Sequence, residues 1–323
     1  MIKGFWQEIE RPVFVLAPMA DVTDSAFRQI ITKYGKPDVI WTEFVSADGL
    51  FLGGRDVLLK DLEYTESERP IVAQFFSSRP DLMEKAARLA VELGFDGIDI
   101  NMGCPDRSIC KQGAGASMIK NPELAEDIIL ATKRGAESGE IKIPVSVKTR
   151  LGYSKDELEE WLPRILKTEP AVVTVHARTK NDMSKVPARW DRIRRAVEIR
   201  DEMKSESLIL GNGDLFDIEN ARKEVSLSGA DGAMLGRAIF GNPWLWSERK
   251  DVSIKERLEV LAEHTHLFEK LLTGHKNFAL MKKHYKAYVS GWDGAKELRG
   301  QLMDCEDAKS VENVIQKYLK RSI

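Results

Sequence analysis

Short apolar runs rich in β-branched residues recur along the first three-quarters of the chain, at 13–17, 38–44, 70–75, 97–101, 145–149, 171–176, 208–211 and 232–235. Between them lie amphipathic stretches with helical spacing, among them 81–93, 122–138, 155–167 and 188–204. Asn121-Pro122 reads as a helix cap followed by a first-turn proline, and Gly94 and Gly139 read as C-terminal stops. The runs are nearly continuous in apolar character rather than alternating, the pattern of strands covered on both faces. Eight strand–helix repeats in about 240 residues predict an α/β fold of the (β/α)8 TIM-barrel type. A doubly wound open sheet is the alternative, but it usually stops after fewer strands. After Trp244 the strand signal ends and helices dominate. The predicted organisation is therefore a barrel over 1–245 and a C-terminal helical domain over 246–323.

Barrel enzymes place their chemistry at the C-terminal ends of the strands. At those positions the sequence sets Pro18-Met19-Ala20-Asp21, Glu43, Gln74, Asn101 with Cys104, Lys148 with Arg150, His176 with Arg178, Asn212-Gly213-Asp214, and Gly236-Arg237. Any one of these is an unremarkable polar residue, and a free cysteine is usually core. Polar groups at all eight ends read instead as a ring around an active site. Cys104 follows a strand on a loop bent by Gly103 and Pro105, where its thiol can give or take a proton.

The last two loops have the character of a barrel phosphate site. Gly211 to Asp214 offers bare backbone N–H groups, and Gly236-Arg237 adds a guanidinium suited to bidentate contact. Lys148 would lie near the barrel centre, where a cation stabilises negative charge on a reduced heterocycle. Gln74 can meet the edge of a ring, and Pro18-Met19 can pack on its face. Flavin mononucleotide fits these parts, with its phosphate on Asn212, Gly213, Asp214, Gly236 and Arg237. No glycine motif completes a Rossmann unit, so a nicotinamide would have to visit the flavin face directly.

Composition changes this picture little. No apolar run approaches a membrane span, and residues 1–11 lack the apolar core of a signal peptide. The three cysteines make neither a disulfide framework nor a CxxC metal motif, so a reduced cytoplasmic protein without metal is expected. A net charge of −2 means that any nucleic acid must be held by a local patch. The stretch 271–292 has no acidic residue, while Lys276, Lys282, Lys283, His284 and Lys286 supply positive charge. Phe278, Met281, Tyr285 and Val289 recur at helical spacing, which would leave Lys282, Lys283 and Lys286 more exposed. The glycines of Gly113-Ala114-Gly115 suggest either a cysteine loop that closes over substrate or a fixed helix entry.

Taken together, these motifs resemble the tRNA-dihydrouridine synthase family, from Pro12 to beyond Val314. The resemblance rests on Ala17-Pro18-Met19-Ala20 with Val22-Thr23-Asp24 and Phe27-Arg28, on Asn101 through Pro105, and on Val147 through Gly152. It continues in His176-Ala177-Arg178-Thr179, Gly211 through Asp214, Gly236-Arg237-Ala238 and Gly241-Asn242-Pro243-Trp244. The chain departs from common family forms at Asp21, Ser77, Ala177 and the loop 181–187. The resemblance implies an FMN enzyme that reduces the C5–C6 bond of particular uridines in tRNA with NADPH. Cys104 would be the acid that protonates C5. Lys148, His176 and Gln74 would contact the flavin ring, and Asn101, Arg150 and Arg178 would serve the substrate. Lys282, Lys283 and Lys286 would meet tRNA phosphates, which position the RNA without choosing the base. The acting form is expected to be a monomer. Competing readings are another FMN barrel oxidoreductase acting on a small pyrimidine or enone, and a non-catalytic RNA-binding protein on a barrel scaffold.

Overall fold

A computed structural model describes residues 3–247, 249 and 251–321. Eight parallel strands form one sheet: β1 (Val13–Leu16), β2 (Ile40–Ser46), β3 (Ile71–Phe76), β4 (Gly97–Asn101), β5 (Val145–Arg150), β6 (Val172–His176), β7 (Leu208–Asn212) and β8 (Gly232–Leu235). Each strand pairs with the next from β2 to β8, and β8 pairs with β1 from Val13↔Gly232 to Leu16↔Leu235. The ring closes just before β2, where Asp38 N donates to Phe14 O (3.1 Å) and Leu16 N to Val39 O (3.3 Å). The Asp38 carboxylate accepts from Phe14 N at 2.7 Å. This is the predicted TIM barrel. β1, β3, β4, β7 and β8 are buried at every position, which is why they read as nearly continuous apolar runs.

The four amphipathic stretches named above form helices at Pro80–Glu92, Pro122–Ala136, Leu158–Leu166 and Trp190–Glu202. Asn121 caps the second of these by accepting from Leu124 N, with Pro122 in its first turn.

The chain packs as two compact units. The first runs up to Pro18 and adds Asp38–Leu62 and Arg69–Gly236; it holds the barrel. The second takes Met19–Pro37, Glu63–Glu68 and the chain from Arg237 onward. It is thus built from three stretches of sequence. Ala26 and Ile30 of the helix Ser25–Tyr34 share one apolar core with Trp244, Leu258, Leu261 and Phe268, so this helix belongs with the C-terminal helices. Arg28 and Glu68 form a fully buried ion pair in this unit (Nε to Oε2, 2.7 Å). The other guanidinium nitrogens of Arg28 donate to Thr23 O (3.0 Å) and Glu63 O (2.6 Å). Among the described residues, no helix is long and apolar enough to cross a membrane.

Candidate functional site

β4 delivers the Cys104 loop, and the loop is held at successive backbone atoms. Met102 N donates to Lys148 O at 2.8 Å. The Asn101 side-chain oxygen accepts from Gly103 N (3.1 Å) and Cys104 N (2.8 Å). Arg150 Nε donates to Gly103 O at 2.6 Å, and Ala116 N donates to Cys104 O at 3.0 Å. Gly115 has a φ of +59°, and a Cβ built there would lie 2.9 Å from Cys104 O. Glycine is required at this position by both backbone conformation and space. Gly115 thus serves tight packing against the cysteine loop, whereas Gly113 lies beside Ser78.

Behind the loop runs a buried hydrogen-bond chain. Ser146 Oγ and Gln74 Nε2 donate to the two oxygens of Asp99, at 2.6 and 2.5 Å. Asn101 Nδ2 in turn donates to Gln74 Oε1 at 3.0 Å. An ionised carboxylate only accepts, so Asp99 turns the Gln74 amide, which turns the Asn101 amide so that its oxygen faces the loop. Asp99 and Gln74 are fully buried. Gln74 thus has both amide heavy atoms engaged inside the barrel.

Burial also sets the electrostatics. It raises the Asp99 carboxyl to about 6 against the pull of Ser146, Gln74 and Lys148. It lowers Lys148 to about 8, helped by the charge of Arg150 and opposed by those of Asp99 and Cys104. Arg150 is lowered to about 10, chiefly by burial. Burial raises the Cys104 thiol above its ordinary value despite a backbone hydrogen bond from Asp106. The Lys148 ammonium has no hydrogen-bond or ion-pair partner among the described residues and feels Asp99 only through space. A half-buried cation without such a partner, on the strand beside the Cys104 loop, fits an electron-rich ring.

At the ends of β6 to β8, His176 lies against Gly213: a Cβ on Gly213, whose φ is +124°, would meet the imidazole Cδ2 at 3.1 Å. Asn212 donates from Nδ2 to Met234 O at 2.7 Å and ties β7 to β8. Arg178 is buried, donating to Val186 O at 2.6 Å and pairing with the Asp214 carboxylate, which also accepts from Ala188 N at 2.9 Å. Asp214 and Arg178 therefore fasten the loops after β6 and β7 to each other. Arg150, besides holding Gly103, donates to Thr179 O at 3.2 Å. Pro18 and Gly236 belong to the barrel unit, whereas their chain neighbours Met19 and Arg237 pack with the second.

In that second unit, Lys282 is half-buried while Lys283 and Lys286 are exposed, on the short helix Lys282–Tyr288. Its apolar side follows the predicted spacing, with Met281, Tyr285 and Val289 all buried. The expectation that His284 adds positive charge is overturned. It is buried against Phe27 and His264, and desolvation pulls its pKa down to about 3, so it is neutral.

A family model described as dihydrouridine synthase matches residues 15–323. The chain belongs to the dihydrouridine synthase family. It is 39% identical over 325 residues to "Probable tRNA-dihydrouridine synthase 2" of Bacillus subtilis (strain 168), covering 99% of this chain and 98% of that protein. It is 37% identical over 322 residues to "Probable tRNA-dihydrouridine synthase" of Staphylococcus aureus (strain MRSA252), covering 98% and 96%. Among solved structures, histamine dehydrogenase from Rhizobium sp. 4-9 aligns with a TM-score of 0.53 at 11% identity, over 79% of this chain and 48% of that one. A variant of NCR from Zymomonas mobilis aligns at 0.50 and 16% identity, over 74% and 87%. These distant likenesses agree with the barrel fold.

For this dihydrouridine synthase, sequence reasoning missed Asp99 and Ser146. The signal was present: Asp99 is an acid in the middle of the apolar run Gly97-Ile98-Asp99-Ile100. No group of three or more His, Cys, Asp or Glu suited to a metal ion occurs among the described residues.

Proposed function

We propose that this protein reduces the C5–C6 double bond of specific uridines in tRNA to 5,6-dihydrouridine, with FMN as resident cofactor, NADPH as reductant and Cys104 as general acid. The observation that carries the reading is the pinned Cys104 loop after β4, directly beside Lys148 on β5, whose ammonium makes no hydrogen bond or ion pair among the described residues. The family membership supplies the substrate class, and the relatives' names point to tRNA.

FMN, when bound, supplies the hydride for C6. Lys148 and His176 would hold its ring, with Gln74, Pro18 and Met19 beside it. Asn212, Gly213, Asp214, Gly236 and Arg237 would serve its phosphate end, with Asn212 and Asp214 acting through the loop shape they fix. The Cys104 Sγ–H gives its proton to C5, and burial, by raising the thiol pKa, keeps that proton in place at neutral pH. Asn101, through the N–H groups of Gly103 and Cys104, and Arg150, through the carbonyl of Gly103, orient the acid, and Arg178 steadies the neighbouring loop. The target uridine must leave its stack to reach a barrel mouth, which costs a few kcal/mol. Lys282, Lys283 and Lys286 would hold RNA phosphates, and the acting form is one chain in the cytoplasm.

The test is mass-spectrometric mapping of tRNA lacking dihydrouridine after incubation with the protein, FMN and NADPH. A gain of two hydrogens at defined uridines is expected. A yellow, reducible protein that adds none would overturn the substrate.

A further inference from the structure

β2 carries a bulge. It pairs with β3 at Ile40↔Ile71 and Trp41↔Val72, then resumes at Phe44↔Gln74, so β2 spends one residue more than β3 on this step. At the step, Gln74 N donates to Thr42 Oγ1 at 3.1 Å, and that hydroxyl donates to Glu43 O at 2.8 Å. Side chains alternate along a strand, and residues paired in parallel register share a face. Trp41 and Val72 share a core with Val13, Val172, Leu210 and Met234 from four other strands, which marks the inner face of the barrel. Gln74 lies two residues beyond Val72 and faces the same way, as does its partner Phe44. Without the extra residue, Glu43 would take that place.

The bulge therefore brings an aromatic ring to the inner face near the mouth. Phe44 is half-buried and meets Phe76 edge-on, with ring centroids 5.9 Å apart and planes at 73°. Phe44 and Cys104 both pack against a small apolar cluster of Phe76, Ile109 and Ala114. The ends of β2 and β3 supply the aromatic side of this niche, and the segment after Cys104 supplies the aliphatic side. Just past Phe76, Ser77 Oγ donates to Asp48 Oδ2 at 2.5 Å and accepts from Arg79 N at 2.9 Å, which fixes the chain beyond the aromatic pair. A thiol set against carbon rather than water gains nothing from ionising, because the thiolate would be poorly solvated there. Burial is the main influence on Cys104.

We propose that the β2 bulge makes Phe44 a positioning residue for the general acid: with Phe76 it keeps water from the Cys104 side chain, so that the thiol meets the substrate with its proton in place. The proposal rests on the acid role given to Cys104 above and adds the residue that sustains it.

The test is the pH dependence of Cys104 alkylation by iodoacetamide in the flavin-loaded protein, read by mass spectrometry. Cleavage after Arg107 separates Cys104 from Cys110. Only the thiolate reacts, so the midpoint of the profile reports the thiol itself. Phe44→Ser admits water and should lower the midpoint by about half to one pH unit, a roughly three- to tenfold gain in thiolate near neutral pH. Phe44→Leu keeps the wall apolar and should hold the wild-type midpoint. The alkaline limb of reduced-flavin oxidation by tRNA should move down with the midpoint in Phe44→Ser. An unmoved midpoint in Phe44→Ser overturns the proposal, and so does faster alkylation at every pH with the midpoint unchanged, which is access alone. An equal drop in Phe44→Leu also overturns it. A lowered midpoint in Phe44→Ser with the turnover limb unmoved upholds the niche and overturns the acid role of Cys104 instead.

Discussion

Cys104 and Lys148 are shifted by the same burial in opposite senses, and each shift suits its proposed task. The thiol is raised, so its proton is retained at and somewhat above neutral pH. Cys104→Ala should therefore keep flavin and its reduction by NADPH while losing about 10²–10⁴-fold in dihydrouridine formation, measured as reoxidation of the reduced flavin by tRNA. Full turnover in that variant would remove the acid role. Lys148 is lowered to about 8, so its positive charge is present below that pH and is lost as pH rises through it. Flavin affinity should weaken across pH 8 in the wild type, stay uniformly weak in Lys148→Gln, and be restored over that range in Lys148→Arg. A flat wild-type profile in a fluorescence titration would show that this cation does not face the ring.

The strands were legible in the sequence because burial on both faces removes the polar alternation that marks a half-exposed strand. Where the bounds differ, a named contact explains it. The run 38–44 begins ahead of β2 because Asp38 and Val39 make the barrel-closing bonds to Phe14 and Leu16 outside the ladder. Cys104, Lys148 and His176 stood out as polar groups at strand ends. Their supports did not, since Asp99 and Ser146 lie inside strands and act through Gln74 and Asn101. The helix Ser25–Tyr34 was harder still. Its Arg28 figures in the sequence only as part of a motif, and its partner Glu68 is remote in sequence, on the short turn Glu66–Glu68, yet both side chains are fully buried. Arg28→Met leaves Glu68 buried without its counter-charge and should cost about 3–5 kcal/mol of stability. Adding Glu68→Gln should recover part of that loss. Denaturant unfolding gives both values, and a cost below about 1 kcal/mol for Arg28→Met would show the pair is not the fastening described.

The formal charge of the chain is −2, so long-range attraction cannot bring it to tRNA, and binding must come from where its cations lie. The second unit concentrates them by excluding acids from 271–292, and the structure then sorts them. His284 is neutral in the core, Lys282 is half-buried, and Lys283 and Lys286 face solvent. Charge reversal at the two exposed positions, Lys283→Glu with Lys286→Glu, should therefore weaken tRNA binding at least tenfold and lower the salt slope by about 1.4–1.8, as two phosphate contacts require. Flavin reduction by NADPH in the absence of tRNA separates this loss from damage to the barrel, because both residues belong to the other packing unit. A reversed pair that binds tRNA with wild-type affinity and salt slope would make this helix an ordinary solvated surface, and would place the RNA-binding cations elsewhere on the chain.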